Sequence, residues 1–167
     1  HWRIAQLADS HERYADVFAK LGYPIDLTKH QYPARKVMSA KTQDLIGLSS
    51  KKFIGVAPFA AHRGKVYPLQ LIKQVIAQLN NTGDYVIFLF GGGALEIAQL
   101  DKLAIDFKGV TNMAGKLSFS QELQLISNLD VMLAMDSGNG HLTALYDIPV
   151  VTIWGVTHPF LGFAPFN

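Results

Sequence analysis

Four short and almost wholly apolar runs recur along this chain, separated by segments that have the periodicity of helices. Runs of this kind are typical of strands that are covered on both faces in a parallel sheet. Because a helical segment follows each run, the pattern predicts βαβ units with right-handed crossovers, and hence an α/β fold with a doubly wound parallel sheet. The four runs span residues 53–57, 85–90, 131–135 and 150–154, and a shorter strand is expected near Val110.

The segments between the runs carry apolar residues at helical spacing. The first three stripes run from Leu69 to Leu79, from Ile97 to Phe107 and from Leu123 to Leu129, and a fourth helix is expected over residues 137–146. Ser118 and Gln121 stand at the spacing of a capping box, which places the start of the third helix at Ser118. Strands and helices therefore alternate from residue 52 onward.

The first 51 residues lack this alternation. Residues 9–21 predict an amphipathic helix with Gly22 at its end. Residues 25–51 are rich in polar and turn residues and predict a connector with one short strand and one short helix. We therefore divide the chain into residues 1–24, a connector over 25–51, and a sheet domain over 52–167 that we expect to be truncated at its C-terminus.

Composition excludes several classes of function. Hydrophobic residues make up 49% of the 167 residues, which is ample for a buried core. The net charge of +2 comes from scattered Lys and Arg without a basic stripe, so nucleic acid is not an expected partner. The chain has no cysteine and no closely spaced histidine pair, so no metal site is expected. No apolar run reaches the length of a membrane-spanning helix, about 18 residues.

Ligands of doubly wound sheets bind beyond the carboxyl ends of the strands, so the loops that lead from strands into helices are the candidate site. The first such loop covers residues 57–68 and holds Lys65 shortly before a helix that begins near Pro68. An ammonium group beside exposed helix amides suits a phosphate. The alternative interpretation is a loop lysine that only faces solvent.

The second loop is the run Gly91-Gly92-Gly93, directly after the second strand. Glycines allow the backbone to approach a ligand closely, although a tight turn without a ligand explains them equally well. Glu96 follows in the first turn of the next helix. Its carboxylate either favours the helix dipole or accepts hydrogen bonds from two ribose hydroxyls.

The third loop, residues 136–141, contains Asp, Ser, two Gly and His within six positions. A Ser at the start of a helix, followed by glycine, presents free backbone N–H groups to an anion. His141 falls in the first helical turn and is expected to face the same loop, unless it serves only as a structural hydrogen-bonding group. Met135 and Asn139 occupy the positions where a hydrolase nucleophile elbow requires glycine, so that motif is absent.

The order and spacing of these motifs resemble those of glycosyltransferase family 9, the lipopolysaccharide heptosyltransferases of the GT-B fold. The resemblance extends over residues 52–160, and its Asp-Ser-Gly-x-x-His-Leu core is fairly specific. Its marks are residues 57–60, 65–68, 91–92 with Glu96, 112–118, 136–144 and 149–159. The chain has Val56-Ala57-Pro58-Phe59 where the family often has Asn-Pro-Gly, which puts amide contacts there in doubt. Tyr67 replaces the usual Trp.

The resemblance implies the C-terminal, donor-binding half of an inverting transferase that moves a heptose or related sugar from an ADP-sugar to a lipopolysaccharide core or other lipid-linked acceptor. It implies no metal and no cofactor beyond the nucleotide-sugar. Residues 1–24 would be either the end of an N-terminal acceptor domain or an interdomain helix. That N-terminal domain is the expected partner and would carry the general base. The setting implied is cytoplasmic, with at most peripheral association at the inner face of the inner membrane.

By the same resemblance, each candidate residue has an expected role. Lys65 would contact the diphosphate and stabilise it as a leaving group. Glu96 would contact the ribose, and Leu117 would contact the region around the adenine. Gly91 and Gly92 would line the nucleotide site, and Asp136, Ser137, Gly138 and His141 would surround the diphosphate and the sugar. The physical requirement is that the loops around Lys65 and Ser137 converge at one rim of the sheet.

Two other interpretations stay open at this point. A transferase or epimerase of GT-B type that uses a UDP-sugar would share most of these motifs. A non-catalytic domain that has kept the fold and lost the ligand would share them as well. A comparison of ADP, UDP and GDP binding distinguishes a UDP-sugar enzyme from an ADP-sugar enzyme. The absence of binding to any nucleoside diphosphate identifies a non-catalytic domain.

Overall fold

The computed structural model describes residues 6–47 and 49–166, in which five parallel strands form one sheet of order β3-β2-β1-β4-β5. Neighbouring strands are in register over their central residues, with Ile54 of β1 opposite Ile87 of β2 and Val131 of β4. The strands are β1 (Lys52–Ala57), β2 (Tyr85–Leu89), β3 (Val110–Asn112), β4 (Val131–Met135) and β5 (Val150–Ile153).

Helices cover both faces of this sheet. Helices α3 and α4 pack on one face, and α5 and α6 pack on the other. Helices α1 and α2 precede the sheet. The bounds are α1 (Ser10–Lys20), α2 (Ala40–Ile46), α3 (Leu69–Thr82), α4 (Gly93–Ala104), α5 (Phe119–Ile126) and α6 (Gly138–Ala144).

The strands contribute apolar side chains to a core on each face of the sheet, because successive side chains of a strand point to opposite faces. Phe88 is fully buried under α5 and α6, where its ring meets that of Phe53 edge-on at 5.3 Å between centroids. Gly55 faces the same layer, and a side chain there would press on Leu129 and Met132. A central strand that contains glycine thus leaves room for these larger neighbours.

The sequence predicts this architecture correctly. Each observed strand matches its predicted run to within one residue at either end, and the shorter strand begins at Val110. The predicted capping box is confirmed, since the Gln121 N–H donates to Ser118 Oγ and the Ser118 N–H donates to Gln121 Oε1. The fold is therefore a Rossmann-like α/β domain.

The connector differs from the prediction, because residues 25–47 contain no strand. They form a 3₁₀ turn over Leu27–Lys29 and the short helix α2. The intervening backbone bonds to side chains of the α5 region instead of to a sheet. The Lys36 N–H donates to Ser127 Oγ, the Lys36 carbonyl accepts from Asn128, and the Ser39 N–H donates to Gln124.

Helix α1 forms where it is predicted, but its apolar stripe is exposed. Tyr14, Val17, Phe18 and Leu21 are each between 46% and 70% exposed. The helix is tied to the end of the chain instead, since the Ser10 N–H donates to the Gly162 carbonyl at 2.8 Å. Residues 1–5 of the predicted segment 1–24, Leu48 and Asn167 lie outside the described residues.

Within the described part of the chain, no helix has the length and apolar character that a bilayer crossing requires. This agrees with the lack of long apolar runs in the sequence.

Replacement of Phe88 by Ala tests the account of the core. We expect Phe88→Ala to lower the free energy of unfolding by about 3–5 kcal/mol, because it removes a buried ring and leaves a cavity. Phe119→Ala is the matched control: this ring is 62% exposed, and its removal should change stability by less than about 0.5 kcal/mol. Urea unfolding measures both. Equal losses would show that the packing between β2 and α5 is misassigned.

Candidate functional site

Strand order locates the crevice of the sheet between β1 and β4. The chain runs outward from β1 through β2 to β3, then returns and adds β4 and β5 on the other side of β1. At such a reversal the loops that leave the two central strands diverge to opposite faces and open a crevice at the carboxyl edge. Those two loops carry Lys65 and Asp136.

An ion pair joins the two loops. Lys65 ends a 3₁₀ turn over Arg63–Lys65, and its Nζ lies 2.8 Å from Oδ2 of Asp136. The Asp136 side chain is 6% exposed and that of Lys65 is 22% exposed, so the carboxylate is buried while the lysine side chain keeps partial contact with solvent. The two loops therefore meet at one rim of the sheet, as the sequence predicts, and the roles of both residues in binding stay predictions.

A third loop contributes to this pair from the β5 side. The hydroxyl of Thr157 donates to the same Asp136 oxygen at 2.9 Å. Asp136 Oδ2 thus accepts hydrogen bonds from two donors on loops that flank it on either side. A buried carboxylate requires such donors, because removal of an ion from water without compensating bonds is costly.

Two glycines allow the loop after β1 and the loop after β5 to approach each other across the end of β4. The Val156 N–H donates to the Gly64 carbonyl at 3.0 Å. A side chain on Gly155 would overlap that carbonyl oxygen, and one on Gly64 would press on Val156. Both positions therefore require the absence of a Cβ, and the close contact sets the distance between Lys65 and Thr157.

Ser137 and Gly138 follow Asp136 at the start of α6. Ser137 occupies the N-cap position, as expected, but its hydroxyl makes no cap hydrogen bond. Its Oγ is buried and has no hydrogen-bond partner among the described residues. Gly138, the first residue of α6, is exposed, and no atom lies within 4 Å of where its Cβ would stand.

The glycine loop after β2 is stabilised by the predicted acidic residue. The Gly92 N–H donates to Glu96 Oε2 at 2.8 Å, so this carboxylate closes the loop onto the first turn of α4. Gly93 has φ of +74°, a conformation that favours glycine. Gly91 lies against Glu96, Leu100 and Phe59. These residues therefore form a tight turn that is held by Glu96, and their contact with a nucleotide stays a prediction.

Leu117 lies in the loop between β3 and α5, half-buried against the core beneath α5 and α6. Asn112 holds this loop to α4: its Nδ2 donates to Asp101 at 2.8 Å, and its Oδ1 accepts from the Ala114 N–H at 2.9 Å. Gly115 approaches Ile97 of α4. The loop that carries Leu117 is thus fastened to the helix that carries Glu96.

His141 lies one helical turn after Ser137. It is the fourth residue of α6 and lines two adjoining cavities of about 310 and 300 Å³. These cavities are walled by the connector around His30 and Tyr32, by the start of α1 and by Phe166, and neither Lys65 nor Asp136 lines them. The expected role of His141 beside the diphosphate and the sugar stays a prediction.

Sequence reasoning missed two features of the site, Thr157 and Gly155. Both lie in the loop after β5, which the sequence marks as part of a motif without indicating a role. The usable signal was the position of this loop, because in a doubly wound sheet it also ends at the carboxyl edge.

The chemistry available at this rim suits an anion. It offers the Lys65 ammonium, which has donors beyond the one given to Asp136, an exposed Gly138 at the start of α6, and a glycine loop. In the described ranges 6–47 and 49–166, no three His, Asp or Glu side chains are grouped to hold a metal ion. That catalysis needs no metal stays a prediction.

Comparison with known sequences decides the family. The sequence model of "Glycosyltransferase family 9 (heptosyltransferase)" matches residues 3–165. The chain belongs to this family. The match includes every candidate residue named above, and it extends upstream of the sheet domain to α1 and the connector.

Individual relatives carry the same description. Lipopolysaccharide heptosyltransferase 3 of Escherichia coli K12 is 28% identical over 116 residues, which is 68% of this chain and 33% of the relative. Lipopolysaccharide heptosyltransferase 1 of Salmonella typhimurium LT2 is 27% identical over 159 residues, which is 95% of this chain and 48% of the relative. The chain thus spans at most about half the length of these relatives.

Solved structures confirm the fold. The structure of E. coli heptosyltransferase WaaC with ADP superposes with a TM-score of 0.72 at 24% identity and covers 99% of this chain and 50% of that one. The glycosyltransferase family 9 structure from Veillonella parvula gives a TM-score of 0.79 at 19% identity, over 99% of this chain and 49% of that one.

Substitution of Gly155 tests the contact between the outer loops. We expect Gly155→Ala to lower the melting temperature by several degrees, because the added Cβ displaces backbone on both sides and the loss is about 1–3 kcal/mol. Gly138→Ala is the matched control, since its Cβ would meet open space. Thermal unfolding followed by circular dichroism measures both. An unchanged melting temperature for Gly155→Ala would show that the loops do not touch.

Proposed function

We propose that this chain is the donor-binding part of a heptosyltransferase-like glycosyltransferase. Its substrate would be an ADP-activated heptose or related sugar, transferred with inversion to a lipopolysaccharide core or other lipid-linked glycan. The observation that carries the proposal is the Lys65–Asp136 pair at the crevice between β1 and β4, in a chain of glycosyltransferase family 9.

The position of Lys65 supports a contact with the diphosphate. Its ammonium is held at the rim by Asp136 but remains partly exposed, so it reaches an anion without leaving its loop. A lysine ammonium has three donors, of which Asp136 occupies one. The remaining donors, together with the exposed Gly138 at the start of α6, are available to phosphate oxygens.

These groups would act most strongly as the sugar departs. Cleavage of the bond between sugar and phosphate leaves additional negative charge on the diphosphate. Hydrogen-bond donors that are already in place stabilise this charge more in the transition state than in the bound nucleotide-sugar. Stronger binding of the transition state than of the substrate increases the rate of transfer. Lys65 would therefore act on the leaving group rather than on the acceptor.

The base that activates the acceptor hydroxyl belongs to the proposed N-terminal domain. This chain spans 33% of one lipopolysaccharide heptosyltransferase and 48% of another. We therefore expect it to bind a nucleotide but not to transfer sugar without its N-terminal domain. Contact with the membrane would be peripheral at most and would serve to reach the lipid-linked acceptor.

Nucleotide competition tests the choice of donor. We expect ADP to bind to the chain more tightly than UDP or GDP, because the proposed donor is an ADP-sugar whose base lies beside Leu117. Isothermal titration calorimetry with each nucleotide, and displacement of a fluorescent ADP analogue, measure the order. A preference for UDP would favour a UDP-sugar enzyme, and no binding at millimolar concentration would favour a non-catalytic domain.

Replacement of Lys65 tests its proposed role. We expect Lys65→Met to weaken ADP binding by about 10- to 100-fold, because hydrogen bonds to charged groups are each worth about 1.5–3 kcal/mol. Lys73→Met is the matched control, since Lys73 also pairs with an aspartate, Asp106, but lies on α3 away from the crevice. Equal affinity of the two variants for ADP would remove Lys65 from the site.

The same variant also affects stability. Among the described residues, loss of Lys65 leaves the buried Asp136 carboxylate with the side-chain hydrogen bond from Thr157. We therefore expect Lys65→Met to reduce the free energy of unfolding by about 1–3 kcal/mol. Addition of Asp136→Asn should restore part of this loss. Urea unfolding of the single and double variants measures the coupling, and strict additivity would contradict it.

A further inference from the structure

We propose that Thr157 is a positioning residue of the diphosphate site, which holds the Asp136 carboxylate in place when Lys65 engages the ligand. This inference rests on the proposed function. It is carried by one arrangement: Thr157 Oγ1 and Lys65 Nζ both donate to Oδ2 of Asp136, at 2.9 and 2.8 Å.

The two donors differ in what they can do when an anion arrives. Lys65 is partly exposed and has donors to spare, so a diphosphate competes with Asp136 for its ammonium. The Thr157 hydroxyl has one hydrogen, which it gives to Asp136. Thr157 is therefore the donor that Asp136 retains as the ammonium is shared.

Burial makes this second donor necessary. The Asp136 side chain is 6% exposed, so water cannot readily replace a lost hydrogen bond. A buried carboxylate left without donors beside a second anion is costly in free energy, and this cost would be subtracted from ligand affinity. Thr157 lowers that cost and so allows Lys65 to turn toward the diphosphate.

Backbone geometry fixes Thr157 in this position independently of Asp136. The preceding residue, Val156, is bonded through its N–H to the Gly64 carbonyl, directly beside Lys65 in sequence. The closeness of Gly155 to Gly64 prevents the loop from moving inward. The donor is thus attached to the same loop whose ammonium it supports, which keeps the three groups together.

The test is a set of Thr157 variants measured for ADP affinity by calorimetry. We expect Thr157→Val, which keeps the shape and removes the hydroxyl, to weaken ADP binding by about 10-fold, the loss of one hydrogen bond to a charged group. Thr157→Ser restores the hydroxyl and should bind within about 2-fold of the unsubstituted chain. If Thr157→Val does not fold, Thr157→Ala serves in its place.

A double-substitution cycle with Asp136→Asn separates positioning from packing. With a neutral side chain at position 136 there is no charge to keep satisfied, so Thr157→Val should then change ADP affinity by less than about 2-fold. A loss of the same size in both backgrounds, or no loss in the unsubstituted background, would overturn the role of Thr157. Absence of ADP binding by the unsubstituted chain would instead overturn the proposed function, and this inference with it.

Discussion

The site depends on one ion pair between two loops that are distant in sequence. Lys65 and Asp136 stand 71 positions apart, yet their charged atoms lie 2.8 Å from each other because β1 and β4 are neighbours in the sheet. The carboxylate is buried and the ammonium is partly exposed, so the pair presents a positive group to the crevice while its negative group is held inside. An isolated pair of this kind adds little stability, because desolvation offsets the attraction. Its value is that it fixes a cation at the point where the crevice opens.

The rest of the fold keeps this pair in place. Buried strands set the spacing of β1 and β4, and Gly55 makes room for the core beneath α5 and α6. At the rim, the loop after β5 crosses to the loop after β1 through the contact of Gly155 with Gly64. Thr157 then reaches the same carboxylate oxygen as Lys65. The absence of side chains at Gly155 and Gly64 thus allows the loop contact that positions Lys65 and Thr157 beside Asp136.

The sequence predicts the sheet and the convergence of the loops around Lys65 and Ser137, but not the ion pair between Lys65 and Asp136 or the hydrogen bond from Thr157. Apolar runs identify strands because burial on both faces leaves no polar alternation, and the loops that follow parallel strands all lie at the carboxyl edge of the sheet. The Thr157 hydrogen bond depends on loop geometry to which no periodicity applies. The connector misled the prediction of a strand because its backbone bonds to side chains near α5. The exposed apolar stripe of α1 has helical periodicity. Periodicity shows that a helix is amphipathic, but it does not show which part of the protein covers the apolar face.

A crystal structure of the chain with ADP is the most direct measurement of the central claim, that the crevice between β1 and β4 receives a diphosphate. The account predicts phosphate oxygens at hydrogen-bond distance, about 3 Å, from the Lys65 ammonium, with Asp136 still bonded to Thr157. ADP bound elsewhere on the chain, or bound with its phosphates turned away while Lys65 contacts only Asp136, would contradict it.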